Sequence, residues 1–128
     1  MIEFALVLPV LLILVAGIID FSFLFYDKAI ITNASREAAR YGVVLLTPSY
    51  ASSAQVISYA QTYCSNYLVS FNGTAAVTVT ATPSTTPPVF GSTLTVTVSY
   101  VYTDLLLHSF ISHSQLYQLT ATTVMTYE

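Results

Sequence analysis

From Phe4 to Tyr26 the chain reads FALVLPVLLILVAGIIDFSFLFY, with no basic residue and a single acid, Asp20. Only Pro9 and Gly17 interrupt the apolar residues between Phe4 and Ile19. With the aromatic block of Phe21, Phe23, Phe25 and Tyr26, the run reaches the ~20 residues an α-helix needs to cross a bilayer core. A helix that is apolar on every side cannot lie on the surface of a globular domain. It belongs in lipid or inside a bundle of similar helices, and those two surroundings bound what the chain can do.

The remainder of the 128 residues suffices for one modest globular domain. Charged residues make up 7% of the chain and mean hydropathy is +0.71, against roughly 25% charged residues in an ordinary soluble domain. The cations are Lys28, Arg36 and Arg40 alone, and the formal net charge is −3. No basic patch exists to neutralise phosphates, so nucleic acid is not an expected partner. Cys64 is the only cysteine and cannot close an internal disulfide; a buried or half-buried thiol is expected. A secretory leader would place a basic segment ahead of the apolar run. Here the run starts at once, and the expectation is a leader that is absent or already removed.

Glu3 stands at the lip of the run, where a bare carboxylate entering lipid needs a compensating positive group. The amino terminus of a neighbouring copy would supply one; a solvated place at the interface is the alternative. Pro9 removes a backbone donor and should bend the helix, while Gly17 beside Ala16 offers a point of close approach. After Tyr26 the segment DKAIITNASREAARYG continues the helix out of the lipid, with Ile30, Ile31, Ala34, Ala38 and Tyr41 as one apolar stripe. Arg36 and Arg40 suit the negative end of the helix dipole, and Glu37 is within reach of Arg40. These three residues read either as a solvated helix end or as contacts to another subunit. Gly42 is the expected stop.

Beyond Val43, Thr47-Pro48-Ser49 reads as a turn. A second helix follows, capped by Ser52 or Ser53, with Val56, Ile57, Ala60, Tyr63 or Cys64, and Tyr67 at helical spacing. The period then drops to two. Val77, Val79 and Ala81 alternate with threonines; Leu94, Val96, Val98, Tyr100 and Tyr102 do the same after a proline-rich loop from Pro83 to Ser92; Leu119, Ala121, Thr123, Met125 and Tyr127 close the series. The irregular LLLHSFISHS, from Leu105 to Ser114, reads as a connection. The expected class is α+β: a long amino-terminal hydrophobic helix over residues 1–42, with 1–26 as its hydrophobic part, continuing into a small domain over 43–128. That domain has a second helix and a three- to four-stranded antiparallel sheet, packed on the helices by one face and threonine-rich on the other. Asn72-Gly73-Thr74 fits a glycosylation acceptor in a turn, and Asn33-Ala34-Ser35 fits the same pattern inside a helix.

Little in the chain points to catalysis. Glu3, Asp20, Asp27, Glu37, Asp104 and Glu128 are scattered without metal-ligand spacing, and no glycine-rich phosphate loop is present. His108 and His113 lie five apart with no third ligand nearby, and nothing around Cys64 lowers its pKa. No enzyme, cofactor or metal is expected.

Taken together, Glu3-Phe4, the proline-containing apolar run, Asp20-Phe21 and NASREAARYG resemble the TadE-like pilin and pseudopilin family of the tight-adherence branch of type IV pilus systems. The closing LYQLTATTVMTYE is similar more weakly, and the middle of the chain only in style. The resemblance implies a type IV pilin-like fold and a precursor cut by a prepilin peptidase. It further implies a membrane-held intermediate, assembled by an inner-membrane platform and ATPase into an extracellular filament of identical copies. Glu3, Phe4, Pro9, Gly17 and Asp20 would then serve assembly. Members usually carry their acid at the fifth mature position; Glu3 is third, which implies two further residues ahead of Met1 or a different cleavage site. A minor pseudopilin that primes or tips a pilus, and a single-span protein with an extracytoplasmic binding domain, are the other readings.

Overall fold

The computed structural model describes residues 2–46, 49–70, 76–102 and 117–128. Helix α1 runs without interruption through Pro9 from Ile2 to Val43, 42 residues, or about 63 Å at 1.5 Å per residue. Two short strands follow, β1 (Leu45–Leu46) and β2 (Ser49–Tyr50), paired antiparallel. This small hairpin occupies the place where the sequence suggested only a turn.

Helix α2 spans Ser53–Tyr67. Ser52 is its cap, in a reciprocal arrangement: the Gln55 N–H donates to Ser52 Oγ at 3.3 Å, and the Ser52 N–H donates to Gln55 Oε1 at 2.9 Å. Both groups would otherwise be orphaned at the helix start. Val56, Ala60 and Cys64 form its buried face; Ile57 and Tyr63 are half-buried against the core, and Tyr67 is exposed.

The sheet is a three-stranded antiparallel meander in the order β3 (Val77–Pro83), β4 (Thr93–Tyr102), β5 (Tyr117–Thr126). Alternation decides its two faces. Leu94, Val96, Val98, Tyr100 and Tyr102 of the central strand are buried, with Val79 and Ala121 flanking Val98 across the ladder. On the opposite face Thr80, Thr97 and Thr122 stand in one row, and Thr78, Ser99 and Thr120 in the next. Thr97 and Thr122 share a hydroxyl hydrogen bond at 3.1 Å, as do Ser99 and Thr120 at 3.3 Å. Hydroxyls thus satisfy one another and water on a face that carries almost no charge.

Helix α1 lies over β4 and β5 and against α2, which covers β3. Its contact face is built of small residues: Ala34, Ala38 and Ala39 are fully buried beside Ile31, against Val56, Ala60, Val96 and Val98 in one core. Gly42 takes this to its limit. A Cβ there would come within 2.4 Å of Leu94 Cδ2 and 2.8 Å of Val56 Cγ2. The glycine expected to stop the helix lies inside it, since α1 ends at Val43. It is needed for close approach.

Three cross-contacts fix the direction of the sheet along α1. The Tyr102 hydroxyl donates to the Asp20 carbonyl at 3.2 Å, the Lys28 ammonium donates to the Thr120 carbonyl, and the Ser35 and Thr123 hydroxyls meet at 2.8 Å. The ends of β4 and β5 marked by Tyr102 and Tyr117 therefore point toward the amino terminus of α1. The loop between β3 and β4 lies at the far end, tied down where the Gly91 N–H donates to the Tyr127 carbonyl at 3.0 Å and the Tyr127 N–H donates to the Ser92 carbonyl at 2.9 Å.

Candidate functional site: the apolar rod and its junction with the sheet

Every described side chain from Glu3 to Val15 is exposed. Phe4 and Leu6 are each 73% exposed and Val10 64%. The rod meets the test of length and composition for a membrane-crossing helix, with a mean hydropathy of 2.7 over its most apolar window. Glu3 sits in the first turn, where a carboxylate complements the positive end of the helix dipole. Gly17 has nothing within 4 Å of where a Cβ would stand, so within a single copy its small size serves no contact.

Cover begins at Ala16, which is buried, and continues through Asp20, Asp27, Ile30 and Ile31. Asp20 lies on the covered side. Ile18, Phe21, Phe25 and Tyr26 stay exposed on the other side, and the Phe21 and Phe25 rings lie tilted to each other at a centroid distance of 6.5 Å. From Ala16 to Tyr26 one helix thus has two surroundings at the same height.

Asp27, one of the scattered acids of the sequence, is fully buried immediately above the apolar run. Its Oδ1 accepts the Val69 N–H at 3.2 Å, joining α1 to the segment that leaves α2; its Oδ2 is buried without a hydrogen-bond partner. Burial pushes this carboxyl above the ordinary aspartate range, the Val69 hydrogen bond opposing the shift in part. Tyr100 is raised as well, by burial and then by the Asp27 charge. Nothing in the local sequence distinguishes Asp27 from Asp20, because the groups beside it, Val69 and Tyr100, lie more than forty residues away.

Arg36, Glu37 and Arg40 are exposed. Glu37 and Arg40 border a shallow, open groove of about 240 Å³ with Tyr41, Val44 and Tyr59, floored by the stacked rings of Tyr41 and Tyr59 at 4.9 Å. No ion pair joins Glu37 to Arg40 among the described residues. A second hollow of about 410 Å³ lies at the far end of the domain between Tyr50, Ser52, Pro87, Leu94 and Tyr127. Cys64 is fully buried, and loss of hydration pushes its thiol up to about 11, so the reactive thiolate is scarce at neutral pH. Among the described residues no group of three or more His, Cys, Asp or Glu side chains gathers where it could hold a metal ion. Asn33 is exposed within α1, whereas Asn72, Asp104, His108 and His113 lie outside the described residues.

No curated protein and no solved structure matches the chain. A family model does: the one described as TadE-like protein matches residues 1–40. That interval contains the bare rod, Asp20, Asp27 and most of the helix face buried in the core, and stops short of the sheet. Over these forty residues, under a third of the chain, the sequence is similar to the TadE-like family.

Proposed function

We propose that this chain is a structural pilin subunit that polymerises through α1 into an extracellular filament of the type IV, tight-adherence kind. The observation that carries the reading is the rod itself: a segment from Phe4 to Val15 exposed on every side, attached to a domain with a closed core. Lipid covers it in the precursor, and sister rods cover it in the polymer. Moving between these surroundings gains little hydrophobic free energy, because acyl chains and leucine side chains are similarly apolar. Assembly therefore draws on close packing, on pairing of Glu3 with a positive group such as a neighbour's amino terminus, and on an ATPase acting through an inner-membrane platform after a prepilin peptidase has cut the precursor.

Once the polymer has left the membrane, returning each enclosed leucine or phenylalanine to water would cost about 1.5–3 kcal/mol. The filament would accordingly resist dissociation. Exposed Arg36, together with Glu37 and Arg40 beside the Tyr41–Tyr59 groove, is proposed as a contact between neighbouring domains. Threonine hydroxyls on the outer sheet face keep the shell wetted with few charges.

Electron microscopy of material sheared from the cell surface, with mass spectrometry of its main band, tests the reading. Filaments composed of this chain are expected, and Glu3→Lys should abolish them while leaving the domain folded. Filaments of another protein, with this chain as a trace component, would make it a minor pseudopilin. A chain that stays monomeric in detergent and never polymerises would reduce it to a membrane-anchored domain.

A further inference from the structure

The height at which the domain grips α1 conflicts with a simple picture of a helix in lipid and a domain above it. A bilayer hydrocarbon core is ~30 Å thick and takes ~20 helical residues. Counted from Glu3, that core extends to about Ser22 or Phe23 at 1.5 Å per residue. Yet α1 is bare all round only from Glu3 to Val15, which is about 20 Å. Burial on one side starts at Ala16 and includes Asp20. Tilting the helix would shorten its span along the membrane normal and increase the overlap.

The surfaces at that height suit a bilayer boundary. On the open side of α1 stand Ile18, Phe21, Phe25 and Tyr26, all exposed. On the domain side Tyr117, 49% exposed, stands across from Tyr102 on β4 and β5, and Tyr102, itself buried, holds the Asp20 carbonyl. Just above, the Lys28 ammonium rests on the Thr120 carbonyl at the edge of β5. Aromatic rings with one polar atom, and a lysine able to extend toward phosphates, are the residues that favour the headgroup layer. The two acids of this region, Asp20 and Asp27, are enclosed and present no carboxylate to the lipid.

From this geometry we infer that the amino-terminal end of the sheet is a membrane-contact surface. In the precursor the Tyr117 end of the sheet is sunk into the lipid interface beside Phe21, Phe25 and Tyr26, with Lys28 at the phosphates. This deepens the proposed function and rests on its membrane-inserted intermediate. It adds a step to assembly: extraction must lift the edge of a folded domain out of lipid as well as the rod.

The chain contains no tryptophan, so single-tryptophan variants give clean probes. Leu12→Trp, Phe25→Trp, Tyr117→Trp and Tyr59→Trp are reconstituted in phosphatidylcholine vesicles whose acyl chains are brominated either near the glycerol or near the methyl end. Tyr117→Trp and Phe25→Trp should lose most of their emission to shallow bromines, Leu12→Trp should lose most to deep bromines, and Tyr59→Trp should be quenched by neither. If Tyr117→Trp is quenched only by aqueous acrylamide while Leu12→Trp behaves as stated, the interfacial edge is wrong and the inserted rod stands. If Tyr117→Trp escapes both kinds of quencher, protein rather than lipid covers it, and the lipid assignment is likewise overturned. If Leu12→Trp itself escapes bromine, the membrane intermediate fails, and with it the reading beneath this one. Phe25→Trp keeps the test open should Tyr117→Trp not fold.

Discussion

The two halves of α1 share one unbroken backbone and have opposite surroundings. From Phe4 to Val15 large leucines, isoleucines and valines are exposed, whereas the alanines at 34, 38 and 39 are wholly enclosed. The more hydrophobic half is therefore the less buried one. Side-chain size accounts for the difference. Alanines let the carboxy-terminal half come close enough for Val56, Leu94, Val96 and Val98 to fill the gap, while the bulky, all-round apolar half fits no single sheet face and is left for an environment outside the chain.

Charge insertion should break the comparison most sharply. Val98→Asp puts an unpaired carboxylate at a fully buried position of the central strand, and a penalty of about 3–5 kcal/mol is a large share of the ~5–15 kcal/mol that holds a domain together. Its thermal transition in detergent should be lost or strongly lowered. Leu11→Asp, at a rod position that is 55% exposed, should melt like the parent and instead lose membrane insertion. Equal melting for both variants would mean that the rod belongs to the core.

The two helical glycines offer a finer test. Gly42→Ala forces a methyl into Leu94 and Val56 and should destabilise by about 1–3 kcal/mol, the usual range for overpacking. Gly17→Ala meets nothing within 4 Å and should raise stability by about 0.5–1 kcal/mol through helix propensity. Chemical denaturation reads both; if Gly17→Ala also reduces filament yield, the site is a contact between copies. Ser52→Ala removes the α2 cap and should cost about 1 kcal/mol, in the domain alone.

The smallest expected effect concerns the boundary between the halves. Because burial raises the Asp27 carboxyl, the native state holds that proton to higher pH than the unfolded chain does. Its stabilising contribution is complete below the unfolded aspartate pKa and is lost as pH rises through the native value. The groups near it are Tyr100, which stays neutral across that range, and Lys28, whose ammonium is engaged by Thr120. Asp27→Asn keeps an acceptor for the Val69 N–H and removes the ionisation, so its melting temperature should vary less between acid and neutral pH than the parent's. An unchanged pH profile would place the titration elsewhere.

Much of this architecture was legible before any coordinates. The apolar run, the stripe of Ile31, Ala34 and Ala38, a serine cap at 52 or 53 and the three alternating strands all follow from the spacing of residues close together in the chain. The β1–β2 hairpin was not legible, being two residues on each side, too short for a period to declare itself. Gly42 was legible as a special position but for the wrong reason, since a helix stop is a local device and a steric meeting with Leu94 is not.

What the sequence determined by itself is which segments must leave water and in what secondary structure, because hydropathy and periodicity act between near neighbours. Only the tertiary structure decided where cover on α1 begins. That depends on the Tyr102 hydroxyl finding the Asp20 carbonyl eighty-two residues away, and on the enclosure of Asp27 by β4 and the end of α2. Contacts between distant segments are set by packing and leave no periodic mark in the chain.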